Sequence, residues 1–488
     1  MARTQEEITL ETDLCRIRFS NRGAVVSSWE LKRYKDGNGK LLDLVNSLAA
    51  GKVAPPFSLT FRDQKPEVDL NQVLYAAKVS EDGLAVDFEY SSGRVVSRKS
   101  FRFKKDSYLW RLSDEVLQDG SPLPHYLVWR GGFGDQTVHS AHTLQHSLFY
   151  DAVQSKLVVN DTAAGKNGPV AAGGSYTFAG IEDTYFAAVA LPATGTYIEI
   201  QTWSDSIPVV KDGKEEALHA GSAVGGAGSN QLWMFVGPKD LDVMRAVSPK
   251  LELMIDWGWF WFLAKPLFLA LHWLSEHHIH SYGWSIVLIT VAINILLLPL
   301  KFTSLKSMKK MAQIQPQIAA INEKFKHLSL RDPKKAEQNQ EVMALYKKHG
   351  VNPMGGCMPI ALQIPFFIAF YKVLSVVIEL RGASWLWISD LSQPETLAIK
   401  VLPLTMIGTQ FVLQKMTPST TADPAQQRIM LLMPLMLGFM FYNVSSGLVL
   451  YWLTGNLVGI AQQWFFNKLA PPPAVAAKPA QKKKSGRN

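Results

Sequence analysis

Ile429–Phe466 reads IMLLMPLMLGFMFYNVSSGLVLYWLTGNLVGIAQQWFF, 38 residues without one charged side chain. As a single α-helix the run would be about 57 Å long, nearly twice the roughly 30 Å of a bilayer's hydrocarbon core. Asn443, Ser445, Ser446 and Gly447 lie near its middle, and such residues favour turns over helix interiors. The run therefore reads as a hairpin of two membrane spans, about 429–444 and 447–466. Further apolar stretches precede it: 282–300 without a charge, 358–378 with only Lys372, and about 397–416. Together these make 281–467 an α-helical membrane bundle of five spans.

The charges around these spans set their orientation. Between Lys301 and Lys348 there are eleven Lys/Arg against four Asp/Glu, and after Leu469 come Lys478, Lys482, Lys483, Lys484 and Arg487 with no acid. Basic flanks mark the cytosolic side, so loop 303–350, the Thr417–Arg428 loop and the basic tail 468–488 are expected in the cytosol. That tail reads as disordered. An odd number of spans then puts everything before residue 282 on the other side, in a periplasm-like space. Loop 303–350 has its own pattern. Met308, Met311, Ile314, Ile318, Ile321 and Phe325 follow helical spacing, as do Val342, Leu345 and Tyr346 after the Leu330–Pro333 break; this is an amphipathic helical hairpin.

Residues 7–245 are different material. Stretches such as Cys15–Phe19 and Ser100–Phe103 alternate apolar and polar, separated by turns such as Asp36-Gly37-Asn38-Gly39. Many short alternating strands predict an antiparallel all-β sandwich. The mean hydropathy of +0.03 is thus an average over two unlike halves of a 488-residue chain with net charge +9. Segment 250–280 links them; its WGWFWFLAKPLFLALHWL stretch, Trp257–Leu274, is rich in Trp with Lys265-Pro266 at its centre. This composition suits a helix lying in the membrane interface, the alternative being an additional span. MARTQEEITLETD at the start has no apolar signal region, and the topology therefore leads us to expect a preceding N-terminal span that this sequence does not include.

Several chemistries lack their motifs. There is no GxxxxGK[ST], HExxH or GxSxG, and the two cysteines, Cys15 and Cys357, form no CxxC pair. His139, His142 and His146 cluster without accompanying carboxylates and read as ordinary loop or strand histidines. No cofactor or metal is expected, nor enzymatic activity. What the spans do carry is uncharged polar groups: Thr290 and Asn294 on one helical face, with Lys301 seven residues on; Gln363; Gln410 and Gln414; Tyr451, Thr454 and Asn456; Gln462 and Gln463. Singly, such residues most often bond helix to helix. Together, from at least four spans, they could line a wet cavity. Ion-coupled transporters carry acids or Arg in the membrane, and these spans carry almost none.

The residues here resemble a known family. Asn352-Pro353-Met354-Gly355-Gly356-Cys357 followed by Pro359 and Gln363-Ile364-Pro365 is similar to the signature of the YidC-type membrane protein insertases. So are Leu386–Leu391 (LWISDL), Gln414-Lys415-Met416 with Asp423-Pro424 and Gln426-Gln427, and Ser446–Tyr451 (SGLVLY). The β half resembles the family's periplasmic domain through Leu232-Trp233 and Val236-Gly237-Pro238. The resemblance implies a galactose-mutarotase-like sandwich in the periplasm, a multi-pass core in the bacterial inner membrane, and a cytosolic C-terminus. It also implies a hydrophilic groove, closed toward the periplasm and lined or capped by residues at the positions of Thr290, Gln363, Trp387, Tyr451 and Trp452, with Gln410 in the same path. The implied partners are nascent membrane proteins, the Sec translocon, the ribosome, the signal-recognition receptor and membrane lipids, with the protein working as a monomer. Two departures stand out. Many members place an Arg five residues before a Pro-Leu, where this chain has Asn294, so that either the groove works by hydration and hydrogen bonding alone or Lys301 supplies a weaker charge nearer the cytosol. Trp452 stands where some members carry Tyr. Two rival readings are a secondary transporter, which requires intramembrane ionisable residues, and a membrane-anchored carbohydrate-active protein, which requires a His/Glu constellation in the sandwich.

Overall fold

The computed structural model describes residues 2–137, 144–210, 213–327, 332–352, 358–417 and 424–469. His139, His142, Pro353–Cys357, Asp423 and the tail from 470 onward lie outside these. The chain divides into two compact units, Met1–Asp256 and Trp257–Asn488.

The named strands of the first unit all pair antiparallel. Four strands, Glu7–Glu11, Cys15–Ser20, Val25–Lys35 and Leu41–Asp43, pair in sequence order into one sheet. The other strands form a 14-stranded sheet whose path runs from Ser58–Thr60 to Ala76–Val79. The alternation seen in sequence is what allows the two sheets to face each other: along Val95–Arg102 every second side chain is buried. The sandwich core is aromatic. Phe19 and Trp29 of the small sheet meet Phe101 and Trp110 of the large one, with ring centroids 4.9 Å and 5.5 Å apart. Lys99 is buried among them, donating to the carbonyls of Gly23, Ala24 and Phe57 at 2.8, 3.2 and 2.8 Å; three acceptors satisfy all three ammonium donors. Cys15 is buried, which pushes its thiol up to about 12 and leaves it inert. A short helix, α1 (Leu241–Val247), capped by the Asp240 side chain, ends this region.

The second unit is helical: α2 (Trp261–Leu274), α3 (Tyr282–Leu296), α4 (Leu298–Lys324), α5 (Lys334–Lys348), α6 (Met358–Val376), α7 (Val401–Met416), α8 (Pro424–Phe441) and α9 (Ser446–Leu469). Among the described residues no single helix is both long and apolar enough to cross a membrane; α3 and α4 pass that test as a pair, bent by 59°. The expected straight span 282–300 is thus broken at Leu297. Pro299 is the physical reason: it has no N–H to offer the carbonyl of Ile295, and its ring crowds that turn, so it starts a new helix. The expected span 397–416 becomes helical only at Val401. Helix α2 buries Ala264, Phe268 and Leu271 along one face while Trp261, Phe262 and Trp273 stay exposed. The hairpin of α4 and α5 closes on Met311, Ile314, Ile318 and Val351, covered by Leu345 and Tyr346. Helix α9 is the hub, packing on α7, α3 and α6.

Candidate functional site

The break between α3 and α4 makes the first part of the site. A helix end leaves carbonyls without helical partners, and here the carbonyl of Asn294 accepts from Gln462 Nε2 of α9 at 3.1 Å. The Asn294 side chain is turned back on its own helix, donating to the Thr290 carbonyl at 2.8 Å. Its free oxygen accepts from Lys301 Nζ at 2.6 Å, and Lys301 also donates to Gln462 Oε1 at 3.3 Å. One cation, two amides and a kinked backbone therefore converge where α3, α4 and α9 meet. Thr290 is fully buried and its hydroxyl donates to the Ile286 carbonyl at 2.6 Å, so it lines nothing by itself.

A second group lies between α7 and α9. Trp452 Nε1 donates to Gln410 Oε1 at 3.3 Å, and its ring sits edge-on to Phe367 and beside Phe441. Tyr451 stacks on Phe370 of α6 with centroids 4.3 Å apart and is 5 % exposed. Below them Asn456 donates to the Met406 carbonyl and to Thr409 Oγ1, both at 3.2 Å. Gln363 is on an exposed part of α6.

Trp387 is in neither group. It lies in the loop between α6 and α7, where its indole donates to Glu395 Oε1 at 2.8 Å. One participant, Glu395, was not singled out in the sequence, whereas Gln462 was among the polar groups of the spans named there. Gln462 had a usable signal: it is eleven residues past Tyr451, three helical turns, hence on the same face of α9. Glu395 had none, since its partners are set by the fold of the loop.

In the β unit a cleft of about 450 Å³ is lined by Thr60, Lys65, Asp69, Asn71, Arg130 and Trp203, among others. Asp69 is its one carboxyl among the described lining residues. His125 and Asp114 do contact each other, with Asn230 beside them, but both are buried in the sandwich, 0 % and 3 % exposed, out of reach of a substrate. No group of three or more metal-ligating side chains occurs among the described residues.

Comparison with known proteins places this architecture. The family model described as "60Kd inner membrane protein" matches residues 273–472, and the "YidC periplasmic domain" model matches 7–270. Proteins named membrane protein insertase YidC align along nearly the whole chain. That of Geotalea uraniireducens is 36% identical, covering 95% of this chain and 87% of its own length. That of Pelobacter propionicus is 34% identical, also covering 95% and 87%. That of Cupriavidus metallidurans is 34% identical, covering 97% and 85%. The chain belongs to the YidC family.

Among solved structures, an active YidC insertase with its first transmembrane domain resolved is similar over 95% of this chain and 93% of that one, at 18% identity and a TM-score of 0.41. A galactose mutarotase-like protein from Lactobacillus casei is similar over 48% of this chain and 100% of that one, at 12% identity and a TM-score of 0.31. The YidC periplasmic-domain model thus covers the β strands and runs into α2, while the 60Kd inner membrane protein model covers α3 to α9. Asn294, five residues before Pro299-Leu300, receives the ammonium of Lys301.

Proposed function

We infer that the chain is an inner-membrane insertase, and that the seam from Gln410 and Trp452 to Asn294, Lys301 and Gln462 is its substrate path. A short polar segment of a nascent membrane protein enters from the side of α4 and α5, which faces the cytosol, while the N-terminal unit lies in the periplasm and the C-terminus in the cytosol. Helices α3, α6, α7, α8 and α9 form the membrane core. An unpaired polar group in hydrocarbon costs several kcal/mol, and amide and ammonium groups along the seam offset that cost while the segment crosses. The substrate's apolar helix then moves into lipid, driven by its own burial, so that no covalent chemistry and no cofactor is needed. The helices α3 and α7, with 15 and 16 residues, span only about 22–24 Å, less than the usual hydrocarbon thickness of roughly 30 Å, which shortens the passage. The hairpin of α4 and α5 with the basic tail recruits ribosome and signal-recognition receptor, the Sec translocon being an alternative partner in insertion. The protein works as a monomer.

The observation that carries this reading is the reach of Lys301 to Asn294, 2.6 Å, together with its second bond to Gln462. A cation held by two neutral amides keeps its charge available to an acidic segment. The test is insertion of a single-span substrate with an acidic tail into proteoliposomes. Lys301→Met is expected to slow insertion on the order of tenfold, equivalent to about 1.4 kcal/mol. Adding Asn294→Arg to that variant should restore it. Full activity in Lys301→Met would sink the proposed role of this charge. A transporter reading gains nothing from the seam, which has no acidic member.

A further inference from the structure

The loop between α6 and α7, 377–400, does more than connect. Leu391 O accepts from the Gly447 N–H at 2.9 Å, and Gln393 O accepts from the N–H and hydroxyl of Ser446 at 2.8 and 2.9 Å, so the loop receives the start of α9. Trp385 lies against Gly283 at the start of α3, where even a Cβ would come within 2.2 Å of its ring, and against Trp284, centroids 5.5 Å apart. Lys400 Nζ donates to Tyr442 O and Asn443 Oδ1 at 3.0 and 2.6 Å, just past the end of α8. The loop also closes on itself: Trp385 and Ile388 exchange both backbone bonds, and Leu391 N–H donates to Ala383 O at 2.9 Å. Ends of three further helices, α3, α8 and α9, thus meet the loop that joins α6 to α7, at the end of the bundle opposite the α4–α5 hairpin.

Glu395 is the point where this assembly is tied. It is 5 % exposed. One carboxylate oxygen accepts from the Trp387 indole at 2.8 Å, and the other from the Leu402 N–H, also 2.8 Å, in the first turn of α7. That helix has no capping side chain of its own at Lys400, so Glu395 supplies the acceptor from five residues outside it, where a negative charge is also favoured by the helix dipole. Buried carboxyl groups are expensive unless both oxygens are engaged, and here both are, by neutral donors on two different segments.

We propose that Glu395 is a positioning residue that holds Trp387 and the start of α7 in place, making loop 377–400 the outer seal of the substrate path, so that polar segments enter from one side without opening the membrane to ions. The proposal rests on the insertase reading above, and the experiment separates the two.

The full chain is reconstituted in liposomes carrying a trapped pH-sensitive dye, and proton leak and substrate insertion are measured in the same vesicles. Glu395→Ala removes both acceptors and is expected to raise leak several-fold. Trp387→Phe keeps a ring and leaves the α7 cap intact; it is expected to raise leak less, and to add nothing on the Glu395→Ala background. Glu395→Gln retains one acceptor and is expected to fall between wild type and Glu395→Ala. Wild-type leak in both Glu395→Ala and Trp387→Phe would overturn the seal, as would a fully additive double variant, even if insertion fell in each. Absence of insertion by the wild-type chain, with its low leak unchanged, would instead count against the insertase reading. Trp387→Phe keeps the test open should Glu395→Ala fail to fold.

Discussion

At Lys301 a four-carbon stem carries a charge back about two helical turns to the amide of Asn294. An Arg at position 294 would present a fixed fork at the seam itself, whereas a Lys arriving from the next helix is a mobile point charge. The sequence showed Asn294 and a Lys seven residues on, because that is a matter of spacing; that Gln462 holds the ammonium from the far side needed the packing of α9. In the β unit the residue-scale prediction concerns Asp183. Its Oδ1 accepts from the Tyr185 and Phe186 N–H at 2.8 and 2.6 Å, its Oδ2 from Asp135 N–H at 3.1 Å. Burial nonetheless dominates these bonds and lifts its carboxyl to about 6 from 3.8. A raised folded-state acid binds protons that the unfolded chain releases, so its contribution is full below about 3.8 and is lost as pH rises through about 6. Opening free energy around Phe186–Leu191, from amide exchange corrected for intrinsic rates, should therefore fall by at most about 3 kcal/mol from pH 4 to pH 7. Asp183→Asn should flatten that slope. A wild-type slope equal to that of the variant would refute the assignment.

Among the elements, α9 shows how polar residues in an apolar helix divide their work. Asn456 is 5 % exposed and bonds α7 alone, so it is inter-helix glue, as single polar residues in spans usually are. Asn456→Ala should lower stability by roughly 0.6–2 kcal/mol, read as a reduced unfolding midpoint in detergent, while insertion by the remaining folded protein is unchanged. Loss of insertion without loss of stability would move Asn456 into the substrate path. Apolar periodicity revealed the positions of the helices well, since charge-free runs need no partner to be recognised. It did not reveal the 59° break at Leu297, because the run of leucines on both sides of Pro299 outweighed a single proline. Nor did it give loop 377–400, whose structure is written in bonds between residues as distant as Gln393 and Ser446.

Over the whole molecule, two physically different halves were legible from the outset. Period-two alternation gave the sandwich, and the break expected at Asn443–Gly447 falls at the gap between α8 and α9. The proposed path through the helical unit was only partly legible: Asn294 with Lys301, and Gln410 with Trp452, do meet, while Thr290 is turned inward and Trp387 belongs to the loop. Sequence alone lists polar side chains but cannot say which of them bond to one another and which remain accessible. The central claim is that substrate moves along this seam. The most direct measurement places a photo-crosslinker at Gln462, Asn294 and Gln410 in turn, with Phe439, 89 % exposed on α8, as the outward-facing control, and stalls ribosomes on a short single-span substrate. The account predicts crosslinks at the three seam positions that vanish once the chain is released. Crosslinks confined to Phe439, with the three seam positions silent, would contradict it.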